Sequence, residues 1–153
     1  MINNWIRDTL RKVGRRVKRK KSIKKPSKNK VKSKITKLSK TKIARREKYL
    51  QYKEVARVLV LERLAIYNQI YQYKYNRISI RDQKTRWGSC SSKGNINFNY
   101  KIALLPTHLA DYIVVHELCH VGEMNHSSRF WDLVARTIPN YLECRAQLKS
   151  IKL

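Results

Sequence analysis

Apolar positions between Ile43 and Tyr73 fall into two adjoining helical stripes, Val55-Leu59-Ile66-Ile70 and Ala56-Val60-Leu64-Tyr67-Tyr71. Residues three or four apart share one face of a helix, and neither Gly nor Pro interrupts the run. The pattern predicts one long helix packing a broad face on a core. The period then changes: Ile78-Ser79-Ile80 alternates as a half-buried strand does. Two further strand-like runs, Arg86 to Ser91 and Ile96 to Asn99, flank Ser92-Lys93-Gly94-Asn95, whose Gly-Asn pair signals a turn. A small antiparallel sheet is expected after the long helix.

Pro106 suits an early helical position, and from there Leu109, Ala110, Tyr112, Ile113, Val114, Val115 and Leu118 are apolar nearly all round, as in a central buried helix. Gly122 is well suited to end it in a left-handed cap. Ser127 then caps a helix from Ser128 to about Thr137, because Pro139 disfavours helical geometry at Ile138, and a last helix runs from about Asn140 to Ser150. Long helix, small sheet, buried helix and closing helices make an α+β fold.

The segment ahead of Ile43 is of another kind. Of the 153 residues, 36 are Lys or Arg against 10 Asp or Glu, a net charge of +26, and residues 1–50 alone hold 21 basic and 2 acidic side chains. Residues 18–42 are Lys- and Ser-rich with single scattered apolar residues, too few to offset the entropy of ordering the chain. Before them Ile2, Ile6, Leu10, Val13 and Val17 recur at helical spacing beside Trp5, which reads as a short basic amphipathic helix over residues 2–17. Residues 1–42 are therefore expected to be a largely disordered basic arm, and residues 43–153 one folded domain, a length that supports a single modest core. Such an arm attracts polyanions by releasing counterions from phosphates. Non-specific nucleic acid is its obvious partner, while solubilisation and an anionic membrane surface suit the same charge.

Cys90, Cys119 and Cys144 are odd in number with no CxxC pair, the N-terminus lacks an apolar signal core, and no apolar run approaches a membrane span. Reduced thiols in a cytoplasmic protein are the expectation.

The candidate chemistry lies at the end of the buried helix, in His116-Glu117-Leu118-Cys119-His120. Histidines four apart lie on one helical face and can present nitrogens to one ion, while Glu117 projects to the side, where it reaches a metal-bound water rather than the metal. Zinc lowers the pKa of its water towards ~7, so a carboxylate can take the proton at neutral pH. Catalytic zinc sites usually have three protein ligands and an open position. His126, past Gly122, is the best third ligand, and Glu143 on the last helix competes for that place. His108 sits two turns before His116 and reads as a surface or capping residue, and Cys119 faces away from the pair and reads as packed core. Arg129 and Tyr141 are candidates to stabilise a developing oxyanion.

From Arg77 to Lys149 the chain resembles the YgjP-like metal-dependent hydrolases, relatives of the SprT-like zinc peptidases. The resemblance rests on Arg77-Ile78-Ser79-Ile80-Arg81-Asp82, on Lys84-Thr85-Arg86-Trp87-Gly88-Ser89-Cys90-Ser91, on Asp111-Tyr112 leading into the HExxH segment, and on Met124-Asn125-His126-Ser127 with Phe130-Trp131. It implies a compact zincin-like domain with Zn2+ held by His116, His120 and His126, Glu117 as catalytic base, and a strand edge beside the cleft that could pair with an extended peptide. The metzincin pattern fits less well: Glu123 stands where that class has Gly, and Met124 is the last Met. Family members usually carry a β-rich region ahead of the long helix, and here the basic arm takes its place. Three functions follow: a zinc metallopeptidase; a metal-dependent nucleotide pyrophosphohydrolase, an activity the resemblance also implies; and a nucleic-acid-binding protein with a structural zinc.

Overall fold

The computed structural model describes residues 40–153; the basic arm up to residue 39, with the helix expected over residues 2–17, lies outside them. The chain parts into two compact units, residues 1–55 and 56–153. The described part of the first is the opening half of helix α1, which runs Lys40–Tyr71 and holds Lys53 Nζ 5.7 Å from the centre of the Tyr49 ring. The second holds the rest of α1, strands β1 (Arg77–Arg81), β2 (Gly88–Cys90) and β3 (Asn95–Asn99), a 3₁₀ turn at Tyr100–Leu104, and helices α2 (Thr107–Gly122), α3 (Ser128–Thr137) and α4 (Tyr141–Ser150).

Only part of the expected apolar face of α1 is covered. Ala56, Val60 and Leu64 are fully buried, whereas Ile66 and Ile70 stand 50% and 45% exposed. The C-terminal end of the helix is anchored differently: the Tyr71 hydroxyl donates to the Leu133 carbonyl at 2.8 Å and meets Thr137 Oγ1 at 2.6 Å, tying α1 to α3.

The expected antiparallel sheet is mixed. Its order is β1-β3-β2: β2 pairs antiparallel with β3 (Gly88 opposite Phe98, Cys90 opposite Ile96), but β1 pairs parallel with β3, Ile80 opposite Phe98. The β2–β3 hairpin turns where Gly94 takes φ +69°, a left-handed conformation that glycine adopts without steric cost. β1 reaches the far side of β3 because residues 82–87 cross over the end of that strand. Buried Asn99 holds the crossing, its Nδ2 donating to the carbonyls of Gln83 (2.8 Å) and Arg86 (3.2 Å) while its backbone N–H donates to Trp87 O (2.7 Å).

Helix α2 is the centre, touching β2, α3 and α4. Leu109, Ala110, Ile113, Val114, Val115 and Leu118 are all buried, with Ile80, Ile96, Phe98, Tyr100 and Ile102 from the sheet side. It ends at Gly122 as expected, but without the left-handed cap. The capping residue is Glu123 at φ −132°, and a Cβ at 122 would meet the end of the Tyr73 ring, its Cζ 2.6 Å away, so a larger residue there would have to move that ring. Ser127 does precede α3, yet its hydroxyl makes no capping bond. Among the described residues no helix is long and apolar enough to cross a membrane.

Candidate metal centre

Three histidines converge where α2 ends and the chain turns towards α3. One nitrogen from each of His116, His120 and His126 falls within 4.8 Å of the others. His116 and His120 come from one face of α2, and His126 comes from the loop after it, with its Nε2 3.2 Å from His116 Nε2. Two nitrogens bound tetrahedrally to one zinc at about 2.0–2.1 Å lie roughly 3.3 Å apart, so the His116–His126 spacing fits a shared ion, which the three rings would hold after a small inward adjustment. An imidazole–imidazole hydrogen bond has a similar length, but the third ring and its orientation favour a cage. His120 Nδ1 lies 3.0 Å from the Glu123 carbonyl, an acceptor only, so the ring proton is fixed there and the Nε2 lone pair is left free. His116 Nδ1 makes a longer 3.5 Å contact with the Tyr112 hydroxyl.

Aromatic packing orients all three rings. Phe130, fully buried on α3, stacks on His120 with centroids 4.4 Å apart and meets His116 and His126 edge-on at 4.9 and 4.8 Å. Trp131 stacks on His126 at 5.4 Å. Burial disfavours the charged imidazole, pushing His116 down to about 3 and His120 down as well. Both rings are thus neutral at physiological pH, the form that binds a metal. His126 is exposed, so the cluster opens to solvent on that side.

Glu117 sits beside the cluster with only 6% of its surface exposed and its Oε2 buried without a hydrogen-bond partner. Burial raises its carboxyl to about 8, with Arg86 pulling the other way. At that value the carboxyl holds its proton at neutral pH, and a cation at the cluster would favour the ionised form that a general base needs. β2 passes close enough that only glycine fits at position 88: a Cβ there would lie 2.6 Å from Glu117 Cγ and Cδ. Glu117 and His116 also reach a cavity of about 630 Å³ formed by residues 84–88, α2 and α4.

The other candidates separate from the site. Glu143 is exposed and Cys119 is packed in the core beside Tyr71, and neither joins the donor cluster. A closed structural site needs four protein donors, and among the described residues the cluster supplies three. His108 is exposed and bonds Gln147 at 2.9 Å. All three cysteines are free thiols. Arg129 and Tyr141 do not line the cavity; Tyr141 stacks on the far partner Trp131, 5.1 Å away. Tyr112, read from the sequence only as part of the buried helix, does line it, and so does Arg145, which the sequence reading did not single out. Arg145 lies 28 positions after Glu117 with no local pattern to mark it.

The profile of the YgjP-like, metallopeptidase domain matches residues 11–151, nearly the whole chain and most of the basic segment. No curated protein matches. Among solved structures, the metallopeptidase zymogen of Pyrococcus abyssi abylysin is 27% identical over 58% of this chain and 90% of its own, with a TM-score of 0.54. The metallopeptidase zymogen of Methanocaldococcus jannaschii jannalysin is 21% identical over 63% of this chain and 97% of its own, with a TM-score of 0.48. Matched from residue 11 to residue 151 by that profile, the chain belongs to the YgjP-like metallopeptidase family and is a metal-dependent hydrolase.

Proposed function

We propose that the protein is a zinc metallopeptidase in which His116, His120 and His126 hold the ion and Glu117 is the general base. The observation that carries this reading is the convergence of three imidazoles, two of them held neutral, beside one buried carboxylate with an unpartnered oxygen. A zinc ion bound there supplies a Lewis acid that acidifies water and polarises a carbonyl. Glu117 takes a proton from the attacking water and gives it to the departing amine, the two roles of a general acid–base in amide hydrolysis. Its burial keeps bulk water from competing for that proton, and Gly88 lets β2 lie directly against it.

β2 is an edge strand of the sheet, as β1 is, since β3 covers only one of its sides. An extended substrate laid along its open side would gain main-chain hydrogen bonds while its scissile bond lies over Glu117. Glu117→Gln keeps shape and removes the base. Zinc-loaded wild type should cleave an unfolded protein substrate on the order of 10²–10⁴ times faster than the variant at equal zinc content. Equal cleavage by both would sink the reading.

A further inference from the structure

The cavity beside Glu117 has an uneven charge. Four cations line it, Lys84, Arg86, Arg145 and Lys149, and the only acidic lining residue is Glu117 itself. The other seven acidic residues of the stretch 51–153 lie elsewhere, so the excess is local as well as general. Among the described residues, none of the four cations has a carboxylate ion-pair partner.

Arg145 is the one held in place. Its guanidinium carbon lies 5.0 Å from the centre of Trp131, which also stacks on Tyr141 and on His126. A guanidinium over an indole gains cation–π attraction and keeps its planar donor fork for a second partner. Its charge is felt at both Tyr112 and His116, across the same cavity. Ile113, Leu148 and Ile151 give the cavity an aliphatic wall, with the rings of Trp87 and Tyr112 beside it, and such a lining suits the stem of a side chain better than a polyanion alone.

We propose that this cavity receives a substrate carboxylate on Arg145, with Lys84 and Lys149 flanking, so that the enzyme selects peptides with an acidic group next to the scissile bond. The inference rests on the peptidase reading above and adds the substrate class. The carboxylate can be an acidic side chain or the end of a chain, and both present two oxygens to the guanidinium fork.

The test separates binding from turnover. Full-length, zinc-loaded Glu117→Gln protein is titrated calorimetrically with acetylated, amidated alanine-rich hexapeptides carrying one Glu or one Gln at each position in turn, and with the free-acid form of the all-alanine peptide. At one position, or for the free acid, the carboxylate peptide should bind about tenfold tighter than its neutral partner. Adding Arg145→Gln should close that gap, Arg145→Lys should restore part of it, and Lys101→Gln, which removes a charge outside the cavity, should leave it. Equal affinities within every pair overturn the inference, as does a gap that survives Arg145→Gln. Tight Arg145-dependent binding of ATP without any peptide preference overturns it too, and gives the cations to phosphate. Wild-type turnover keeps the two readings apart. Glu117-dependent cleavage with no acidic preference overturns the inference and leaves the peptidase standing, whereas a binding preference without cleavage removes the peptidase, and with it the claim about the scissile bond, and leaves a carboxylate-binding site alone.

Discussion

Gly88 shows how much of the site depends on an atom that is absent. Its backbone is not left-handed, since among the described residues only Gln72 and Gly94 have positive φ, so the constraint at 88 is contact and not conformation. A methyl group there would overlap the Glu117 carboxylate. Gly88→Ala is expected to displace that carboxylate by the better part of an ångström and to lower kcat on the order of 10²-fold. Zinc content should be unchanged, because no donor nitrogen touches the glycine. Wild-type kcat in the variant would show that the general base tolerates displacement, contrary to the role given it. The sequence displays Gly88 inside the Trp87-Gly88-Ser89 run but holds no local sign of this contact, because Glu117 lies 29 positions away. The histidine spacing could be read directly, since i and i+4 on a helix is a local relation. Arg145 could not, since only the docking of α4 on α2 brings it to the cavity.

At the scale of elements, periodicity located the helices well and strand pairing poorly. α3 coincides with the expected Ser128–Thr137, because Pro139 and the Phe130–Val134 spacing act within one or two turns. The parallel pairing of β1 with β3 has no such signature: it depends on the crossing loop 82–87 and on the three hydrogen bonds by which Asn99 holds that loop. Asn99→Leu leaves two carbonyls facing an apolar side chain. It should destabilise the domain by about 2–3 kcal/mol in urea titrations, and it should reduce activity as well, because the freed loop carries Arg86 and the start of β2. Tyr71→Phe removes a hydroxyl at the α1–α3 junction and should cost about 1 kcal/mol with activity intact. A metal should act as a further fastening, since its donors come from α2 and from the loop that follows. Chelation is expected to lower Tm, and His126→Ala to abolish most of the zinc-dependent part of that Tm, since an ion that binds only the folded state stabilises it by mass action. A Tm indifferent to zinc in wild type would argue against a bound ion at the cluster.

Over the whole molecule the charge divides as the sequence does: residues 1–50 carry a net +19, residues 51–153 a net +7. The proposed donors, the proposed base and the cavity all lie beyond residue 83. The basic segment should therefore act on where the enzyme works rather than on what it does there. Binding of the full chain to duplex DNA is expected to be indifferent to sequence. For six or more neutralised phosphates it should weaken on the order of 10³-fold or more between about 50 and 200 mM salt. Replacing Lys20, Lys21, Lys24 and Lys25 together by Gln should flatten the slope of log K against log salt by up to about 0.9 for each phosphate that is no longer neutralised, while kcat on a short neutral peptide stays at the wild-type value. A slope that the four substitutions do not alter would place the phosphate-binding cations elsewhere, on the other basic residues of the segment or on the folded domain. Since the cavity itself is cationic, DNA would then compete with an acidic peptide for Arg145, and inhibition of peptide cleavage by DNA would reveal it.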